Sequence, residues 1–245
     1  MLTLLKREIN SFLNSLIGYI VITVFLLAIG LFMWVFPGDS NVLDSGYANI
    51  NTLFIIAPWV FMFLIPAITM RLLSDEKKSG TIELLLTRPL TDLQIILAKY
   101  FAGLLLVVFS VLPTLVYFFS IYDLGNPQGN IDTGGMWGSY AGLLFLSSGF
   151  VAIGVFSSAI TENQIIAFIT AVSLSFFCFI GFEFISSLDF PQTLGIENLI
   201  LTLGINEHYI SMSRGVLDTR DIIYFLSITT LFILLTRIVL ESRKW

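Results

Sequence analysis

The sequence predicts an all-α fold: a polytopic integral membrane protein with six transmembrane helices. Three observations carry that expectation. Hydrophobic residues make up 56% and charged residues 12% of the 245, whereas a soluble globular chain carries about 25% charged residues. Mean hydropathy is +0.92. Six apolar runs are long enough to cross a hydrocarbon core, which takes about 20 helical residues. Short outer helices before the last span and an amphipathic N-terminal interfacial helix complete the predicted architecture.

Residues 1–15 have helical periodicity. Leu2, Leu5, Ile9, Phe12, Leu13 and Leu16 fall on one stripe, with Arg7, Glu8, Asn10, Ser11 and Asn14 on the rest and Leu4 facing away from it. Such a helix can lie in the membrane interface, with Lys6 and Arg7 as anchors. The alternative is that it continues the first span as one long helix. The spans themselves are expected at 16–36, 53–73, 93–122, 136–160, 165–185 and 222–240. Pro58 and Pro66 fall inside the second and Pro113 inside the third, which membrane helices tolerate when neighbours satisfy the freed carbonyls. The first run exceeds a signal-peptide core and lacks a small-residue cleavage site, so it reads as a retained span.

Basic residues set the orientation. Of twelve Lys and Arg residues, only Arg214 and Arg220 fall in segments expected outside; the positive-inside rule then places both termini in the cytoplasm. The same inventory excludes several functions. A net charge of −5 offers no basic surface for nucleic acid. One histidine, His208, and one cysteine, Cys178, cannot make a zinc site. No Gly-Lys dipeptide occurs, so a phosphate-binding loop is absent and the chain binds no ATP by that route. No cofactor or metal site and no catalytic constellation is expected.

The segment between the second and third spans is the most informative. Asp75-Glu76-Lys77-Lys78 announces exit from the membrane, and Gly80-Thr81 can open a short helix with Glu83 in its first turn. Ile82, Leu85 and Leu86 share one face of that helix, Leu84 points elsewhere, and Pro89 after Arg88 stops it. Thr91 with Gln94 is a capping-box pattern for the next helix. Such a helix could dock a partner or rest on lipid headgroups. Glu76, Gly80-Thr81, Glu83-Leu84-Leu85 and Pro89, followed by Lys99, resemble the signature of ABC type-2 permeases. In that family this stretch carries the coupling helix that enters a groove of the cytoplasmic ATPase. The resemblance therefore implies ATPase-coupling roles for Glu76, Gly80, Thr81, Glu83, Leu84, Leu85, Arg88 and Pro89 in a coupling segment at 74–92.

The same resemblance implies one transmembrane domain over residues 1–245 in a bacterial inner membrane. It implies partners too: a P-loop ATPase in two copies, which would hold ATP and magnesium, and a second permease subunit. That subunit would be a related chain with a large periplasmic domain, or a second copy. The run Ser213-Arg214-Gly215-Val216-Leu217-Asp218, in an outer helical loop at 186–220, resembles permeases of the gliding-motility and nitrous-oxide-reductase-maturation subgroups; in compactness and overall similarity the chain resembles the gliding-motility subgroup more closely. An ATP-independent secondary carrier is the competing class.

Outside that segment the candidates are few. Ile196 to Ile205 can form a half-buried outer helix, and Asp218 can cap the last span with Asp221 at its third position. Gly138 and Gly142 follow Gly134 at four-residue spacing, which lets helices approach closely. Glu183 stands as the sole ionisable residue clearly inside a span, either on a substrate pathway or reaching the outer water. His208 reads as a solvated or interfacial loop residue. Ser and Thr of the fourth and fifth spans read as bonding helix carbonyls.

Overall fold

The computed structural model describes residues 1–81, 91–187 and 196–242, and every regular element among them is helical. Six helices are long and apolar enough to cross a membrane: Leu16–Val35, Asn51–Lys78, Asp92–Leu124, Thr133–Ile160, Gln164–Ser186 and Thr219–Glu241. They are the six spans expected from hydropathy, extended mostly at their polar ends, where caps rather than apolarity fix the boundaries.

The interfacial helix, Leu2–Leu13, is separate from the first span. Ser15 makes the break: its hydroxyl donates to Phe12 O at 2.8 Å and accepts from Gly18 N at 3.3 Å, capping the span that follows. The face this helix turns inward differs from the apolar stripe. Leu4, Glu8 and Phe12 are buried, while Leu2 and Leu16 are exposed. Leu4, expected to face away, packs on Ile95 and Ala98 of the third span. Phe12 belongs to both rows, and Leu5 and Leu13 of the stripe are partly buried against protein; the row at i, i+4 and i+8 turns most fully inward because the neighbouring helices, not the periodicity, decide which face they cover.

The second span is broken. Helix Asn51–Thr69 and helix Ser74–Lys78 are joined by a turn over 70–73. Within the longer helix Pro58 lacks an N–H, which frees Phe54 O. The Tyr209 hydroxyl donates to that carbonyl at 2.7 Å. In the third span the Thr91–Gln94 capping box is present, and Pro113 sits in a tight turn, Leu112–Thr114, between Asp92–Val111 and Leu115–Leu124.

The fourth span, Thr133–Ile160, is the axis of the molecule: it packs against the second, third, fifth and sixth spans and an outer helix. Glycines set how close those neighbours come. A Cβ on Gly138 would collide with the backbone of Gly215, one on Gly142 with Met212, and one on Gly154 with Thr69. The neighbour at Gly138 and Gly142 is thus the outer segment, not another span.

That outer segment is two short helices, Ile196–Leu201 and Ile205–Ser213. The expected single helix from Ile196 to Ile205 is interrupted by Gly204, and the second helix carries His208 and Tyr209. Asp189-Phe190-Pro191 and Gly195 lie outside the described residues. Gly215, at φ +84°, turns the chain toward the last span, and Asp218 caps that span by accepting from Arg220 N at 3.0 Å. His208 is not a solvated loop residue: its Nδ1 lies 2.7 Å from Asp221 and its ring stacks on Tyr224 at 3.8 Å.

Candidate functional site

A cluster of ion-paired residues forms at one end of the bundle, where the interfacial helix, the Ser74–Lys78 helix and the start of the third span meet. Lys99 is central. It lies one-third of the way along Asp92–Val111 and is 1% exposed. It, not Glu183, is the most deeply buried ionisable side chain in a span. An isolated buried ammonium is strongly unfavourable, and here three acceptors compensate it. Lys99 Nζ is 2.8 Å from Glu76 Oε2 and 3.4 Å from Glu8 Oε1, and it donates to Leu72 O.

Arg7 closes the cluster from the interfacial helix, with its guanidinium 2.6 Å from Glu8 and 2.8 Å from Glu76. Burial works against the Arg7 charge, but hydrogen bonds and attraction from Glu8 and Glu76 outweigh it and hold its pKa above the ordinary arginine value. Two cations thus balance two carboxylates across three elements. Arg7, one of the two expected interfacial anchors, is ion-paired here, and Lys6 beside it is exposed.

Glu76 belongs to a helix of five residues in which Asp75, Glu76 and Lys77 reach different neighbours while Lys78 is exposed. Successive residues of an α-helix point about 100° apart, so a short helix among others can bond on every side. Asp75 accepts from Gln164 Nε2 at the start of the fifth span. Glu76 joins the interfacial helix and the third span. Lys77, buried, donates to Ala159 O at the end of the fourth span, where a helix leaves its carbonyls unsatisfied.

Ser158, one residue earlier in the fourth span, fastens the break above this helix. Its hydroxyl accepts from Leu73 N and Ser74 N, each at 3.0 Å, and donates to Met70 O at 3.0 Å. Ser147 and Ser157 of the same span bond carbonyls of their own helix, as expected. Gly80, at φ +69°, ends the short helix by a left-handed turn that favours glycine. It therefore closes one helix where the sequence suggested it would only open the next. Thr81 follows, exposed, its Oγ1 2.9 Å from Ser79 Oγ. Glu83, Leu84, Leu85, Arg88 and Pro89 lie outside the described residues.

The hub at 74–78 thus ties the interfacial helix and three spans to the chain just before residues 82–90. Among the predicted site residues it brings together Arg7 and Glu76, with Gly80 and Thr81 adjoining. Gly138, Gly142 and Glu183 are far from it, at the opposite end. Glu183 is exposed and accepts from Asn206 Nδ2 at 3.2 Å. Sequence reasoning missed Glu8, Lys77 and Ser158. Glu8 lies off the apolar stripe and carried no signal of its own; Ser158 carried none either, because its neighbour Ser157 looks the same and bonds differently.

The chain matches the family model described as ABC-2 family transporter protein over residues 2–242. No curated protein matches it.

Proposed function

The chain belongs to the ABC-2 family of transporter proteins, and we propose that it is the permease subunit through which a separate cytoplasmic ATPase moves the membrane helices. ABC-2 proteins are membrane transport components, and six apolar helices supply the membrane part here. The observation that supports coupling is the hub. Displacement of residues 82–90 by an ATPase would act directly on Ser74–Lys78, whose Asp75, Glu76 and Lys77 bond the fifth span, the interfacial helix with the third span, and the fourth span. A five-residue lever bonded through three successive side chains would convert one push into concerted helix movement. A ligand can drive such a change only by binding the two states differently, and that energy would come from ATP and magnesium in two ATPase copies.

In this reading the basic end faces the cytoplasm of a bacterium, with both termini there, and the second permease is a related chain or a second copy. The Ser213–Asp218 run resembles both the gliding-motility and the nitrous-oxide-reductase-maturation subgroups, and the chain's compactness supports placement in the former.

The test is co-reconstitution of the chain with its ATPase in liposomes. Glu83→Ala with Leu84→Ala should detach the ATPase or lower its hydrolysis. Glu76→Gln should leave the ATPase bound but reduce the conformational response of the spans, read by paired spin labels. Gradient-driven flux through the chain alone, with no ATPase, would overturn the reading in favour of a secondary carrier.

A further inference from the structure

Beside the hub, on the side of the interfacial helix, lies a cavity of about 270 Å³. Its walls include Arg7, Ser11 and Phe12 from the interfacial helix, Ser15 from the turn into the first span, Arg71 from the break in the second, and Lys99. The carboxylates around it have partners: Glu8 and Glu76 hold Arg7 and Lys99, and Asp75 accepts from Gln164. Arg71 differs. Among the described residues its guanidinium makes no ion pair or hydrogen bond, and its Nε is buried. A buried donor without an acceptor is destabilising, and a guanidinium is shaped to bind phosphate through two parallel hydrogen bonds.

We propose that this cavity holds the phosphate of an anionic phospholipid, bound by Arg71. Position favours a lipid over a soluble anion. The cavity lies where an interfacial helix turns into a membrane span, with Phe12 and Leu72 giving it an apolar wall beside the serine hydroxyls. Leu2 and Leu16, exposed on either side of this turn, mark the depth at which headgroups meet acyl chains. The lining is charge-balanced, with Arg7, Arg71 and Lys99 against Glu8, Asp75 and Glu76, so the headgroup would be selected by the one guanidinium there without an acceptor among the described residues rather than by net charge. A lipid there would bridge the interfacial helix to the break in the second span, so the headgroup would brace the hub from outside. The proposal concerns this chain alone and does not depend on an ATPase.

The experiment is native mass spectrometry of the delipidated full-length chain in detergent, titrated with phosphatidylglycerol or phosphatidylcholine. The wild type should bind one phosphatidylglycerol in preference to phosphatidylcholine, and Arg71→Gln should weaken that binding by roughly tenfold or more. Lys6→Gln, which alters an exposed charge outside the cavity, should leave the preference intact. Should Arg71→Gln fail to fold, Arg71→Lys decides: it keeps the charge but loses the fork, so weakened binding supports the site and wild-type binding overturns it. Unchanged phosphatidylglycerol binding in Arg71→Gln overturns the proposal. Displacement of the bound lipid by millimolar inorganic phosphate would make a free anion the ligand and overturn the lipid assignment. Loss of ATPase copurification by Arg71→Gln with unchanged lipid preference would assign Arg71 to a protein interface instead.

Discussion

Burial decides what each charged residue at the basic end contributes. Lys99 is 1% exposed and Arg7 about half exposed in its side chain, although both contact the same two carboxylates. Breaking a buried pair leaves a charge without compensation and costs roughly 3–5 kcal/mol, whereas an exposed pair contributes about 1 kcal/mol or less. Lys99→Ala should therefore lower the thermal midpoint in detergent far more than Arg7→Ala. Similar losses for the two would show that Lys99 is hydrated. Tyr209 offers a second residue-scale test. Its hydroxyl serves Phe54 O, the carbonyl orphaned by Pro58, so Tyr209→Phe should cost about 1–3 kcal/mol. Pro58 announced an unpaired carbonyl, but its donor comes from a residue more than 150 positions away, which no local pattern could name.

Between elements, the break in the second span stands because the fourth span supplies a hydroxyl to it. Ser158→Ala would leave Leu73 N and Ser74 N buried without acceptors, and each such loss costs about 1–3 kcal/mol. Ser157→Ala removes only a bond within its own helix and should cost less than about 1 kcal/mol. Comparing the two by thermal unfolding tests whether the break is held by Ser158; equal effects would contradict it. At the opposite end, Gly142→Val would force Met212 away from the fourth span, an overpacking change that costs typically about 1–3 kcal/mol. Proteolysis within 205–213 should then accelerate relative to wild type. Four-residue glycine spacing made a close approach legible here, but which element approaches was set by the Gly215 turn.

Across the whole molecule, the distribution of basic residues makes a statement about orientation that reporter fusions can check. Alkaline phosphatase placed after residue 245 should be inactive and one inserted at 126–130 active; the reverse would invert the topology and remove the hub from any cytoplasmic ATPase. Six spans were readable from the sequence because hydrocarbon imposes a length and an apolarity that each run satisfies without help from its neighbours. The caps at Thr91, Asp218 and Gly215 were readable for a similar reason, since they are local geometry. The site was only half readable. Glu76, Gly80 and Thr81 stood out beside an exit from the membrane, and Arg7 stood out as a basic residue before a span. Glu8 and Leu4 did not, because helical periodicity identifies an apolar face without saying whether lipid or protein will cover it. The sequence by itself determined the solvent and the number of crossings. Tertiary structure decided which face of the interfacial helix turns inward, which spans residues 74–78 join, and where, among the described residues, Arg71 is left without an acceptor, because those depend on pairings between segments far apart in the chain.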